Sequence, residues 1–260
     1  MMIALSADGV PIAYSVHGAG APLVLLHGFT ETSASWEEVG YIEPFLRAGR
    51  QVVLIDARGH GASGKPHEPG AYTGKNHASD FVAVLDALGT SAADIVGYSM
   101  GGMIALAAAF HYPARVKAAI VIAAHPFAQD MSPYRRAIVD GLETWLAIVE
   151  AQGVRLSDAS RRRILANDVQ ALRACVARDR PDASAALPAF QAPLLAMAGS
   201  EDAVFGAVRQ LAERTGGHFR ALEGRNHITS FLAVDEVSAA IEDFLRLETR
   251  TAGAPVVGTI

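Results

Sequence analysis

Cysteine is almost absent from this chain. Its 260 residues include a single cysteine, Cys175. One thiol cannot form a disulfide within the chain, and it cannot supply a metal cluster built from several thiolates. Such a composition is typical of a reducing compartment. The cysteine content therefore predicts a cytoplasmic protein.

Long apolar runs are missing as well. No segment has the roughly 18 uninterrupted apolar residues that a membrane span needs. The opening residues, MMIALSADG, lack a basic region and turn polar after the fifth residue, which is unlike a secretory signal. We therefore expect no membrane partner.

Positive charge is not in excess. The formal net charge is -5 at pH 7, and acidic and basic residues are scattered along the chain. Without a basic stripe, nucleic acid is not an expected partner. Several histidines have no companion pattern and are expected on the surface or in loops, with no metal or other cofactor: His17, His67, His77, His111 and His218.

Short apolar runs alternate with amphipathic stretches along most of the chain, and 51% of the residues are hydrophobic. This alternation predicts an α/β fold, with parallel strands joined by crossover helices around one large core. The first two runs, MIALS and PIAYSV, are joined by a turn-rich link and predict an antiparallel hairpin. The other predicted strands, which bring the total to about eight, are APLVLLH, QVVLID, ADIVGYS, AAIVIAA, APLLAMAG and HFRALEG.

Helical periodicity fills most of the gaps between these runs. Residues 77–89 place apolar side chains on one helix face and end at Gly89, which predicts a helix there. Near the end, Asp235 is predicted to cap a second amphipathic helix. The tail TRTAGAPVVGTI has no such period and is expected to fray.

One interval breaks the alternation. Between the strand ending near Ala124 and the one starting at Pro193, the pattern predicts about two long helices and no strand. The apolar positions of the first are Ile138, Leu142, Trp145 and Val149, and those of the second are Leu165, Val169, Leu172 and Val176. We interpret residues 126–187 as a helical cap inserted into a core formed by residues 1–125 and 188–260.

The segment GYSMG, residues 97–101, has the spacing G-x-S-x-G between a predicted strand and a predicted helix. In that context the serine sits on a sharp, strained turn, and the flanking glycines let neighbouring chain segments approach. The turn pushes the Ser99 hydroxyl out above the strand ends. A serine is a poor nucleophile at neutral pH, so it needs a base and a group that orients the base.

Two downstream residues have the chemistry that Ser99 needs. Asp202 follows one predicted strand and His227 follows the last, so both are expected at the same carboxyl edge of the sheet as Ser99. Each has a plainer interpretation, because Asp202 could cap the next helix and His227 could be a loop residue. Glu201 is an alternative carboxylate, although adjacent turn residues point differently, and we favour Asp202.

Four sequence blocks together resemble the α/β-hydrolase superfamily over nearly the whole chain. They are HGF at 27–29, DARGHGAS at 56–63, GYSMGG at 97–102, and the pair GSED and NH. The resemblance implies an α/β-hydrolase fold, with a mostly parallel eight-stranded sheet, helices on both faces and a small helical cap. It further implies Ser99 as the nucleophile, His227 as the general base and acid, and Asp202 as the orienting carboxylate.

The same resemblance implies an oxyanion hole formed by the backbone N–H groups of Met100 and Phe29. Such donors stabilise the charge of a tetrahedral intermediate. His27 and Gly28 are expected to shape the loop. The polar residues of the DARGHGAS block are expected to hold their own loop in place: Asp56, Arg58 and His60.

We call the strand-to-helix turn at Ser99 the elbow. By the resemblance, a serine at the elbow favours the capped esterase and lactonase branch, because the dehalogenases and epoxide hydrolases of the superfamily carry an aspartate there. The expected partner is a small ester or lactone cleaved through an acyl-enzyme. Carbon–carbon hydrolases, cofactor-free perhydrolases and a ligand-binding protein on this fold remain open. Candidate pocket residues, which could equally be helix–helix core, are Phe127, Met131, Tyr134 and Trp145.

Overall fold

A single eight-stranded sheet organises the molecule. The computed structural model describes residues 1–252, with side chains through residue 248. The strand order is β1-β2-β4-β3-β5-β6-β7-β8; β1 and β2 run antiparallel to their neighbours, and β3 to β8 are parallel. Both the eight strands and the N-terminal hairpin confirm the sequence prediction. The strands are β1 Met2–Leu5, β2 Pro11–His17, β3 Ala21–Leu26, β4 Arg50–Ile55, β5 Ala93–Tyr98, β6 Val116–Ile122, β7 Leu194–Gly199 and β8 His218–Leu222.

Helices cover both faces of the sheet. On β3, alternate residues such as Leu25 and Leu26 belong to different hydrophobic clusters, because successive side chains of a strand point to opposite faces. One face packs against α3, α4 and α9, and the other against α1, α2 and α11. The helices are α1 Ala34–Val39, α2 Ile42–Arg47, α3 Gly74–Ala87, α4 Met100–His111, α5 Ser132–Val139, α6 Leu142–Glu150, α7 Asp158–Leu165, α8 Val169–Cys175, α9 Phe205–Thr215, α10 His227–Leu232 and α11 Val234–Ala252.

The segment between β6 and β7 forms four short helices rather than the two long ones predicted. Gly141, with a φ of 103°, separates α5 from α6, although the apolar spacing continues across it. Asp168 accepts hydrogen bonds from the amides of Gln170 and Ala171, which caps a new helix and separates α8 from α7. Apolar periodicity alone did not reveal these two breaks.

Two smaller predictions need correction. His77 was expected on the surface or in a loop, but it lies in α3 and is 7% exposed, because the segment before this helix packs against it, with the Tyr72 ring 6.0 Å away. Asp235 lies within the first turn of α11 instead of preceding it. Of the tail that was expected to fray, residues 249–252 belong to α11 and the remainder lies outside the described residues.

Within residues 1–252, no helix is both long enough and apolar enough to cross a bilayer.

Candidate active site

Ser99 occupies the sharp turn between β5 and α4. Its φ of 53° and ψ of -111° are strained for a residue with a side chain, and its amide donates to the carbonyl of Ile122 at 2.8 Å. The two glycines of the motif are required by close backbone contacts. A Cβ atom on Gly97 would lie 2.0 Å from the Gly101 carbonyl oxygen, and one on Gly101 would lie 2.1 Å from that of Leu26.

The turn brings Ser99 to His227 and Asp202. Ser99 Oγ lies 2.9 Å from His227 Nε2, and His227 Nδ1 lies 2.8 Å from Asp202 Oδ2. An ionised carboxylate only accepts hydrogen bonds, so His227 carries its proton on Nδ1 and its Nε2 is free to accept from the serine hydroxyl. The three side chains follow β5, β7 and β8, all at the carboxyl edge of the sheet.

Asp202 is well isolated from solvent. Its side chain is 3% exposed, and its second oxygen, Oδ1, accepts from the amide of Val204 at 3.1 Å. The neighbouring Glu201 is exposed, and its amide donates to the Arg225 carbonyl. Of the two carboxylates that the sequence offered, Asp202 is therefore the one in contact with His227.

Tyr98 contacts both the backbone and the ring of His227. The sequence did not predict a role for Tyr98. Its hydroxyl donates to the His227 backbone carbonyl at 3.0 Å, and the two rings lie 5.4 Å apart. Burial, together with the nearby Asp202 carboxylate, raises the pKa of Tyr98 well above its ordinary value, so the hydroxyl remains a donor. The residue before the serine in the motif therefore also fixes the start of α10.

Of the two residues whose amides are expected to form an oxyanion hole, Met100 follows Ser99 directly and Phe29 lines the same cavity as Ser99. Met100 is the first residue of α4, so its N–H has no acceptor within the helix. Phe29 precedes Thr30, which has a φ of 65°. Gly28 lies against Tyr98 and Ser99, because a Cβ atom there would be 3.0 Å from the tyrosine ring and 3.7 Å from Ser99 Cβ.

Polar residues of the DARGHGAS block stabilise the loops that follow β3 and β4. Asp56 accepts from the amides of Ser33 and Ala62, each at 2.8 Å. His27 Nε2 accepts from the amide of Ala57 at 3.0 Å. The fully buried Arg58 side chain pairs with Asp80 and Asp8 at 2.6 and 2.8 Å. The contacts of Asp56 with Ser33 and of His27 with Ala57 join the loop after β3 to the loop after β4. The ion pairs of Arg58 join the loop after β4 to α3 and to the turn between β1 and β2.

A cavity of about 530 Å³ opens above Ser99. Residues of the α5 to α8 segment form much of its wall, including Tyr134 and Trp145. The other two candidate pocket residues, Phe127 and Met131, are not part of this wall. Phe127 instead packs on the sheet core beside His125, and Met131 is 2% exposed at the start of α5. Spacing could not assign their direction, because they precede the first helix of the segment.

Polar contacts attach this segment to the loop after β3. Trp145 Nε1 donates to Thr30 Oγ1, and Asn167 Nδ2 donates to the Thr30 carbonyl, each at 2.8 Å. Arg163 forms ion pairs with Glu31 and Glu38 at 3.0 and 2.9 Å. The Phe29 ring also meets the Trp145 ring edge-on, with centroids 5.5 Å apart. No sequence motif marked these contacts.

The residues described offer no metal centre. Among residues 1–252, no group of three or more histidine, cysteine, aspartate or glutamate side chains is arranged to hold a metal ion. The polar groups on the cavity wall are instead suited to proton transfer and hydrogen bonding.

Known proteins similar to this chain include enzymes of several kinds. A Bacillus subtilis (strain 168) protein, named as a candidate 2-succinyl-6-hydroxy-2,4-cyclohexadiene-1-carboxylate synthase, is 28% identical over 229 residues, covering 78% of this chain and 82% of its own. Seven further curated relatives, among them epoxide hydrolases and a 2-hydroxymuconate semialdehyde hydrolase, align over 40–46% of this chain and 20–40% of their own lengths.

Solved structures match over nearly the full chain. A thermophilic esterase from Thermogutta terrifontis is 25% identical with a TM-score of 0.78, covering 95% of this chain and 98% of its own. A structure described as an N-acyl homoserine lactone degrading enzyme is 28% identical with a TM-score of 0.74, covering 93% and 99%. Residues 21–163 match the family described as alpha/beta hydrolase fold. By sequence and by architecture, the chain belongs to the α/β-hydrolase family.

Proposed function

We propose that this protein is a serine hydrolase that cleaves a small carboxylic ester or lactone through an acyl-enzyme. The observation that carries the proposal is the continuous hydrogen-bonded path from Ser99 Oγ through His227 to Asp202, at the floor of a cavity. A nucleophile, a base and a group that orients the base are the three parts that serine acyl transfer requires.

In the proposed reaction, Ser99 Oγ attacks the carbonyl carbon while His227 Nε2 accepts its proton. The N–H groups of Phe29 and Met100 stabilise the oxyanion of the tetrahedral intermediate. His227 then gives the proton to the departing alkoxide, which leaves an acyl group on Ser99. Water, deprotonated by His227, releases the acid and restores the serine. Asp202 keeps the Nδ1 proton in place and stabilises the imidazolium.

The choice of substrate class rests on the elbow residue and the cavity. A serine supports acyl transfer, whereas the resemblance assigns an aspartate to epoxide hydrolases. The volume of about 530 Å³ is in the range of small-molecule sites and supports a small substrate over a polypeptide. The esterase and the lactone-degrading enzyme among the solved structures support the same class.

Residues 126–187 act in this proposal as a cap over the nucleophile, with Tyr134 and Trp145 as walls of the acyl pocket. Both side chains line the cavity, which supports that role. The single cysteine supports a cytoplasmic site of action.

Carbon–carbon bond hydrolysis is the second candidate. It is favoured by the 37% identity, over 105 residues, to the 2-hydroxymuconate semialdehyde hydrolase of Pseudomonas sp. (strain CF600). The same serine and histidine would serve that reaction, so the substrate has to be tested directly.

The test is a panel of p-nitrophenyl esters, lactones and vinylogous diketones assayed with the purified protein, with Ser99→Ala as the matched control. We expect turnover of esters or lactones that is lost in the variant. Activity confined to diketones would replace the proposal with the second candidate. Ester turnover that survives in Ser99→Ala would contradict both.

A further inference from the structure

Arg180 is a cation on the wall of the cavity above Ser99. Its Nη1 donates to Gln129 Oε1 at 2.8 Å, and the two backbones exchange hydrogen bonds at 3.0 Å each way. Among the described residues, no carboxylate lies within ion-pair distance of Arg180. Arg163, on the same cavity, differs because Glu31 and Glu38 both pair with it.

Desolvation lowers the pKa of the Arg180 guanidinium, and the weakly acidic Cys175 and Tyr134 partly offset this effect. An arginine remains charged at neutral pH even so. Arg180 is half-buried, and a charge that is partly removed from water is costly unless it is paired. The amide oxygen of Gln129 satisfies one donor of the guanidinium but supplies no negative charge.

Other groups beside Arg180 are hydrogen-bond donors that face the same cavity. His125 is 9% exposed, and its Nδ1 has no hydrogen-bond partner. Burial and the charge of Arg180 lower the pKa of His125, so it is neutral and keeps one ring N–H. The Gln129 amide and the Tyr134 side chain complete this wall. We call Arg180, Gln129, His125 and Tyr134 the donor wall.

We propose that the donor wall binds a carboxylate of the substrate, so that the ester or lactone cleaved at Ser99 carries a second, ionised carboxyl group away from the scissile bond. This inference rests on the proposed hydrolase function and narrows its substrate class. A guanidinium matches a carboxylate with two parallel hydrogen bonds. A single unpaired positive charge fits a monoanion such as a carboxylate.

The first experiment compares matched substrates. Mono-p-nitrophenyl adipate is tested against its methyl-capped diester, which places the carboxylate on the acyl side. The butyrate ester of 6-hydroxyhexanoic acid is tested against its methyl ester, which places it on the alcohol side. We expect one of the two pairs to show a kcat/KM ratio of at least about 10 in favour of the free acid, since hydrogen bonds to charged groups contribute that much.

The second comparison uses variants. Arg180→Met should reduce that ratio by about 10- to 100-fold, because it removes the charge and keeps an unbranched side chain. Arg180→Lys keeps a positive charge and should therefore show a higher kcat/KM ratio than Arg180→Met. The control is Arg178→Met, an exposed arginine two residues away, which should leave the ratio unchanged. Ratios near 1 in both pairs, or equal ratios in the wild type and Arg180→Met, would overturn the proposal while ester turnover keeps the hydrolase function intact.

A binding measurement separates the two proposals if no ester is hydrolysed. Calorimetric titration of monomethyl adipate into Ser99→Ala should show binding that weakens about 10- to 100-fold in the Ser99→Ala, Arg180→Met double variant. That result would support the carboxylate site although the hydrolase proposal fails. Equal affinity in both variants would overturn the carboxylate site.

Discussion

The carboxyl edge of the sheet and the helical segment above it are built differently. Ser99, Asp202 and His227 follow three parallel strands, and every residue of β5 is buried. The helices α5 to α8 are seven to nine residues long. Large apolar side chains are exposed in this segment, with Val139 at 63%, Ile148 at 43% and Leu165 at 40%. The proposed chemistry therefore rests on rigid strand ends, and the proposed substrate recognition rests on a less deeply packed segment.

This difference predicts where substitutions should be costly. Removing one atom from the strand ends should abolish turnover without affecting the fold, whereas changes in the helical segment should alter the rate modestly and the choice of substrate more.

The largest effect is expected at the elbow. Ser99→Ala should reduce kcat by about 10⁶-fold, as the loss of a triad nucleophile does. The melting temperature should stay the same or rise, because the hydroxyl contacts His227 in the site and is not part of the packed core. Steady-state kinetics and thermal unfolding on the same preparation provide the two readouts. A loss of less than tenfold would remove Ser99 from the reaction.

The next effect distinguishes two adjacent carboxylates. Asp202→Asn should reduce kcat by about 10⁴-fold, because an amide at this position favours the wrong tautomer of His227. Glu201→Gln is the matched control and should change kcat by less than about threefold, since Glu201 is exposed. The opposite ranking in parallel assays would mean that the acid was assigned to the wrong neighbour.

Stability should depend on pH through the buried histidines of the core. Burial, reinforced by His27 for His60 and by Arg58 for His77, lowers the pKa of each residue to about 3. In the unfolded chain these histidine side chains bind protons below about pH 6.5, whereas in the folded protein they stay neutral. The contribution of the neutral histidines to the free energy of unfolding is therefore complete above about pH 6.5 and is lost as the pH falls toward 3. Each histidine should reduce the free energy of unfolding by about 1.4 kcal/mol per pH unit in that range.

Urea unfolding between pH 7 and pH 5 measures this slope. His77→Gln should make it shallower, while His111→Gln, at an exposed position, should leave it unchanged. Equal slopes in the wild type and His77→Gln would show that His77 takes up a proton within the folded protein.

The smallest effect is expected where the helical segment meets the loop after β3. Trp145→Phe removes the N–H that donates to Thr30 Oγ1, next to the proposed oxyanion donor Phe29. A few-fold decrease in kcat with little change in KM should follow, since a displaced oxyanion donor affects the transition state more than the substrate complex. Asn167→Ala should act in the same direction. A change confined to KM would assign Trp145 to substrate binding alone.

The sequence predicted the strand ends better than the helical segment, for a physical reason. A strand at the centre of a parallel sheet can be predicted from its apolar run. A serine in a G-x-S-x-G motif at the end of such a strand is typical of a nucleophile. The directions of Phe127 and Met131 could not be predicted from spacing, because both residues precede the first helix of the segment. The helix breaks at Gly141 and Asp168 were missed because the apolar period continues across them. The contacts of Trp145 with Thr30 join positions 115 residues apart, and no local pattern encodes them.

The donor wall could not be predicted from the sequence either. Arg180 is one of many scattered arginines in the sequence, and nothing local separates it from Arg178. Only the fold shows that Arg178 is exposed while Arg180 lines the cavity without a carboxylate partner among the described residues.

Covalent labelling can identify the nucleophile directly. A fluorophosphonate reacts with an activated serine, and peptide mass spectrometry locates the adduct. We expect stoichiometric labelling of Ser99 in the wild type, labelling slowed by orders of magnitude in His227→Ala, and none in Ser99→Ala. Labelling at another serine, or equal rates with and without His227, would contradict the proposed mechanism.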